Sequence, residues 1–172
     1  MQKKLLLTMV IGILFTSIVG TLAHFTYEWS NENFLVGLFT PVSESTWEHM
    51  KLLFFPMLFY GIFACSWLAQ EYPCIVYAYP WGILGGTFAI PVLFYTYSGI
   101  LGRTYTPIDI LIFYISVILA FAIVYLVTSR CRELSPHSAK NAFLPWLLVF
   151  LLAIAFMVFT VNPPALGIFQ VG

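Results

Sequence analysis

The chain has 172 residues, of which 61% are hydrophobic and only 8% charged, with seven basic and seven acidic side chains cancelling to zero. A soluble domain carries about 25% charged residues, so a mean hydropathy of +0.94 excludes an ordinary soluble domain, a disordered chain and a nucleic-acid binder. The fourteen charges leave uncharged stretches at 5–27, 52–70, 72–102, 110–129 and 141–172, each long enough to cross ~30 Å of hydrocarbon as a helix. Runs such as 147–156 are apolar on every side. A barrel strand alternates apolar and polar residues, so the reading is an all-α, polytopic transmembrane bundle. It uses nearly the whole chain as a single integral-membrane domain, 1–172.

The first span is expected at about 5–27. Lys3 and Lys4, an apolar run and Thr21-Leu22-Ala23 imitate a secretory signal peptide, but the run reaches Tyr27, longer than the usual 7–15-residue signal core. Retention as a first helix is expected. The second span covers about 44–70, with Pro56 bending it by removing one donor. The third is expected at about 81–101, with 72–80 at the interface because of Pro73 and Pro80. Gly82 and Gly86 form a small-xxx-small pair suited to packing within the chain. The fourth span is expected at about 107–129 and the fifth at about 144–161, ended by Asn162-Pro163-Pro164. Thr40-Pro41 and Thr106-Pro107 each read as an N-cap followed by proline in the first helical position, with Glu44 and Asp109 favouring the positive helix end.

With the N-terminus inside, Lys3, Lys4, Arg130, Arg132 and Lys140 lie on the inner face and only Lys51 and Arg103 outside. Basic residues concentrate in inner loops, so the expected topology is N-in, C-out. The inner Arg130–Lys140 loop, with Glu133 and His137, reads as a topogenic segment beside anionic headgroups. Cys65, Cys74 and Cys131 show no metal spacing and fall in or near the inner half, so reduced, unpaired thiols are expected.

One cluster asks for an explanation. Four of the seven acids and two of the three histidines lie between His24 and His49, with Lys51 adjoining. His24 and Glu28 are one turn apart, as are Glu44 and Glu48. Residues 34–39 between the two spans are apolar, so this loop is expected at the interface, with the 30–43 segment roofing an outward-opening polar pocket between the first two spans. Ionisable groups at membrane depth mark functional sites by default. The sharp reading is a divalent metal held by His24, Glu44, Glu48 and His49, a nitrogen and oxygen set suited to zinc, manganese or iron. In it Glu48 and His49 serve as catalytic base or acid partners. Glu28, Glu44, Lys51, Arg103 and Asp109 are candidates for ligand or proton binding. The plainer reading makes Glu44 a helix-start charge, pairs Glu48 with Lys51, and leaves the histidines beside belt aromatics Phe25, Tyr27, Trp29 and Trp47. A lipid-directed hydrolase, a small transporter or its accessory subunit, and a membrane scaffold all stay open. No phosphate loop, catalytic triad or dinucleotide fingerprint is present, the lipid bilayer is the one expected partner, and protein partners are not indicated.

The run Pro41-Val-Ser-Glu44-Ser-Thr-Trp47-Glu48-His49-Met-Lys51, with His24-Phe-Thr-Tyr27-Glu28-Trp29 and Asn162-Pro163-Pro164, resembles an uncharacterised family of small multi-pass membrane proteins from mostly Gram-positive bacteria. The resemblance implies a bacterial cytoplasmic-membrane location. It implies no activity.

Overall fold

The computed structural model describes residues 2–131 and 142–170. Its described residues form helices α1 (Gln2–Trp29), α2 (Phe34–Gly37), α3 (Thr46–Leu68), α4 (Ile75–Leu101), α5 (Thr106–Arg130) and α6 (Phe143–Val161), followed by a 3₁₀ turn at Gly167–Phe169. The five long helices are each long and apolar enough to cross a membrane. Only helices and closed barrels satisfy every backbone group in lipid. The inner-loop residues Arg132, Glu133, His137 and Lys140 lie outside the described residues.

Because nearly every position is apolar, helix faces are sorted by size rather than polarity. The inward stripe of α1 includes Gly12, Thr16 and Gly20, while Leu7, Leu14 and Ile18 point outward and are more than half exposed. The α3 helix occupies the centre: 61% of its most apolar stretch is buried, against 17–33% in the other four. Without a hydrophobic drive between helices in lipid, close backbone approach supplies the packing. Gly20 is the clearest case. A Cβ there would stand 2.4 Å from the Leu52 carbonyl oxygen, which has no i+4 amide partner because position 56 is proline. Gly82 and Gly86 face Ala120 and Ser116 of α5, so this pair packs within the chain as expected.

The third spanning helix starts at Ile75, not near residue 81, and runs through both Pro80 and Pro91. Pro80 frees the Val76 carbonyl, and the Trp146 indole N–H of α6 donates to that oxygen at 2.8 Å. A partner from another helix thus satisfies the group that would have ended this one. The α3 helix likewise continues through Pro56. Its start also differs from expectation. Ser45, not Thr40, is the N-cap, accepting from the Glu48 amide at 3.4 Å, and Pro41 lies in the connector. At α5 the helix begins at Thr106 with Tyr105 as cap, one residue earlier than expected. Trp47 is not a belt residue: it is 9% exposed and packs against Phe156, Phe159 and Phe169 with ring centroids 4.8, 5.6 and 4.9 Å away.

The cysteine expectation is overturned for two of the three residues. Cys74 and Cys131 form a disulfide with Cα atoms 6.1 Å apart; only Cys65 is free. The α4 and α5 helices are antiparallel, so the start of one meets the end of the other, and residues 57 apart in sequence become neighbours. At the same end Lys4 Nζ donates to Glu71 Oε2 at 2.6 Å, and this hydrogen bond holds the Glu71 carboxyl below its ordinary range. Both partners are well exposed, so the pair adds little to stability.

Gly20→Leu is expected to lower stability in detergent by about 1–3 kcal/mol, since the added side chain meets backbone. Gly99→Ala, where a Cβ meets nothing within 4 Å, should be neutral or stabilising by up to about 1 kcal/mol. Thermal unfolding followed by fluorescence compares the two.

Candidate functional site: a histidine and carboxylate cluster beside an acidic cavity

Three polar groupings occupy the end of the bundle opposite the disulfide. The first joins α1 to the start of α3. His24 lies on the last turns of α1, His49 on the first turn of α3, and Glu44 in the connector just before the Ser45 cap. Glu44 Oε1 is 3.8 Å from His24 Nε2 and Glu44 Oε2 is 3.3 Å from His49 Nε2. The imidazole rings lie 5.3 Å apart between centroids. One ligand atom from each of the three residues falls within 4.8 Å of the others. Ligand atoms on a tetrahedral zinc with ~2.0 Å bonds are ~3.3 Å apart, so closing the set needs shifts of about 1 Å or less.

The orientation of the rings supports ligation. His49 Nδ1 stands 2.9 Å from the Ser45 carbonyl oxygen, the usual outer-shell arrangement that puts the proton on Nδ1 and leaves the Nε2 lone pair free. His24 Nδ1 is buried without a hydrogen-bond partner. Glu44 is 68% exposed, so a carboxylate reaches the histidines from the open side.

The second grouping is buried. Lys51 is wholly inaccessible and its Nζ donates to Glu48 Oε2 at 2.6 Å, to the carbonyls of Gly37 at 3.1 Å and Thr40 at 3.4 Å, and to Thr160 Oγ1 at 2.5 Å. Glu48 in turn accepts from the Val42 amide at 3.0 Å and from Thr160 at 3.2 Å. Every donor of the ammonium is in use, Glu48 Oε2 accepts twice, and the one Thr160 hydroxyl proton is shared between Glu48 Oε1 and the Phe156 carbonyl 2.7 Å away. This network clamps the 37–42 connector onto α3 and α6. Glu48 thus faces Lys51 and Thr160, while Glu44 and the two histidines form the open cluster. Thr160 carries no charge and lies 109 residues from Lys51; sequence reasoning had no signal for it.

The third grouping sits across the cavity. Tyr97 donates its hydroxyl to Asp109 Oδ1 and accepts from the Tyr105 amide at 3.1 Å. Arg103 does not pair with Asp109; its guanidinium lies over the Tyr105 ring, 4.7 Å from the centroid. Glu28 and Glu32 are exposed at the end of α1, where Asn31 and Glu32 take the left-handed backbone at φ 57° and 58° that reverses the chain.

A cavity of about 700 Å³ lies between these groups, lined by His24, Glu44, Thr46 and His49 on one side and by Phe94, Thr104, Thr106, Asp109 and Phe113 on the other. Its walls come from α1, α3, α4 and α5. No residue of the 30–43 connector lines it, so this segment does not roof the pocket; the Lys51 clamp holds it over α3 and α6 instead.

Fold and site together define a polytopic helical membrane protein with a polar cavity at one end of the bundle. The chain belongs to a family of unknown function, DUF6512, which it matches over residues 1–172. No curated protein and no solved structure matches it.

Breaking the buried pair from one side leaves an uncompensated charge, which typically costs 3–5 kcal/mol. Lys51→Met is therefore expected to destabilise the protein by about that much in detergent. Adding Glu48→Gln to Lys51→Met should recover part of the loss, and a double-mutant cycle on thermal unfolding measures the coupling.

Proposed function

We propose that this protein is a metal-dependent membrane enzyme, hydrolytic on a lipid-like substrate, whose divalent ion is held by His24, Glu44 and His49. The convergence of the three ligand atoms at the edge of the cavity carries this reading. Two histidines and one glutamate on zinc leave a position for water, as in catalytic rather than structural sites. An ion held there would supply Lewis-acid activation of water at neutral pH beside the bilayer. The ligands come from two helices and a connector fixed by the Lys51 clamp. Glu48 Oε2 is taken by Lys51 and the Val42 amide, so its role in this scheme is to hold that connector, two residues before Glu44, in place.

The site faces outward in a bacterial cytoplasmic membrane, N-terminus inside, on the strength of the basic residues Lys3, Lys4 and Arg130 at the far end. The disulfide at that same end pulls the other way, since disulfides persist in oxidising compartments. Fusions of alkaline phosphatase and of green fluorescent protein after Gly172 decide between them. An active phosphatase with a dark fluorescent fusion is expected; the reverse pattern inverts the topology.

Protein purified from zinc-supplemented cells is expected to carry about one zinc per chain by elemental analysis. His49→Ala and Glu44→Gln should each weaken zinc binding more than about 100-fold, because outer-shell partners alone carry 10–100-fold. A folded protein that binds no zinc, manganese or iron would refute the metal reading and leave a scaffold role.

A further inference from the structure

The cavity also has a side opening. Thr21 and Phe25 of α1 and Ile110 and Tyr114 of α5 line it, and all four are exposed on the outer surface of helices long enough to span a bilayer. Tyr114 lies eight residues past Thr106, the first residue of α5, so at 1.5 Å per residue it is about 12 Å down the helix. The gap between α1 and α5 therefore faces lipid rather than water along part of its length. The Thr21 and Tyr114 hydroxyls, 3.3 Å apart, bridge the two helices at its lower edge. A molecule already in the membrane reaches the cavity by moving sideways.

The lining decides what kind of molecule. Among the described residues, Glu44 and Asp109 are the acids that line the cavity and no lysine or arginine does. Asp109 accepts from Tyr97 through one oxygen; its other oxygen has no hydrogen-bond partner among the described residues. Phe94 and Phe113 flank the same wall, and aromatic faces attract cations. At the α5 wall an anionic headgroup would meet the Asp109 carboxylate, since the positive charge of the proposed ion lies at the opposite His24–Glu44–His49 edge; an ammonium group there would meet a carboxylate and ring faces.

We infer that the cavity takes a single-chain amphiphile with an ammonium headgroup, admitted from the bilayer between α1 and α5 and seated with its cationic end against Asp109. This deepens the proposed function by naming its substrate class, and zinc content measured on the same samples separates failure of one from failure of the other. The cationic end occupies the α5 wall, so the bond to be cleaved faces the His24–Glu44–His49 edge.

The test uses the full chain in a nonionic detergent with two photoreactive probes of one alkyl chain, a trimethylammonium and a sulfate, mapped by peptide mass spectrometry. The ammonium probe is expected to label the 21–25 and 110–114 segments about tenfold more than the sulfate. Asp109→Asn still accepts from Tyr97 and should bring that ratio to within about twofold with zinc content unchanged. Thr21→Trp fills the gap and should abolish labelling by both. Equal labelling by the two probes, or an unchanged ratio in Asp109→Asn, overturns the headgroup assignment. Full labelling in Thr21→Trp overturns the lateral opening. Should Asp109→Asn fail to fold, the ratio in the unaltered protein decides the headgroup by itself.

Discussion

The ammonium of Lys51 is the group on which this end of the molecule depends. A lysine with no accessible surface, at the head of the apolar run 52–59, must be fully paired or discharged. Here it is fully paired, by Glu48, Thr160 and the carbonyls of Gly37 and Thr40. Those four partners come from α3, α6 and the connector, so meeting the needs of one charge fixes three pieces of chain at once. The Glu48 oxygen that pairs with Lys51, Oε2, also accepts from the Val42 amide. The path from Val42 to Glu44 is only two residues long, and the position of Glu44 follows from it. The open cluster with His24 and His49 is thus a consequence of a closed one.

The same economy governs the helices. Three prolines interrupt α3 and α4 without ending them, and at Pro80 the carbonyl released is met by a donor from another helix. The Trp146 indole covers Val76, and the bare backbone of Gly20 sits against Leu52. In a bilayer an unsatisfied carbonyl costs several kcal/mol, so each proline requires a neighbour of a particular size and chemistry. The bundle is held in register by these local repairs as much as by apolar contact.

The cavity combines exposed apolar residues of α1 and α5 with polar groups at its walls, the combination the proposed chemistry on an amphiphile needs. A water-filled site would admit any solute; a closed apolar one would hold no metal. The division of the wall into a nitrogen-rich edge on α1 and α3 and an acidic, aromatic wall on α4 and α5 gives a bound molecule two distinguishable ends.

Charge placement alone made the spans, their number and the importance of residues 24–51 legible, because lipid allows so few backbone solutions and charges must lie at its edges. His24, Glu44 and His49 were all readable as candidates. Their separation from Glu48 and Lys51 was not, since Glu44 and Glu48 are equally spaced acids until Thr160 and Val42 claim one of them. The start of α4 escaped for a related reason: Pro80 is a breaker unless Trp146 arrives, and no local pattern reports a partner 70 residues away. The Cys74–Cys131 pairing depended on α4 and α5 being antiparallel neighbours. Sequence by itself determined that this is an all-helical membrane chain with its charges at the span ends and most of its acids within residues 28–48, because hydrophobicity and backbone satisfaction are local, additive properties. Only the tertiary structure decided which of those groups neutralise one another and which are left facing a cavity, because pairing depends on distances that packing alone sets.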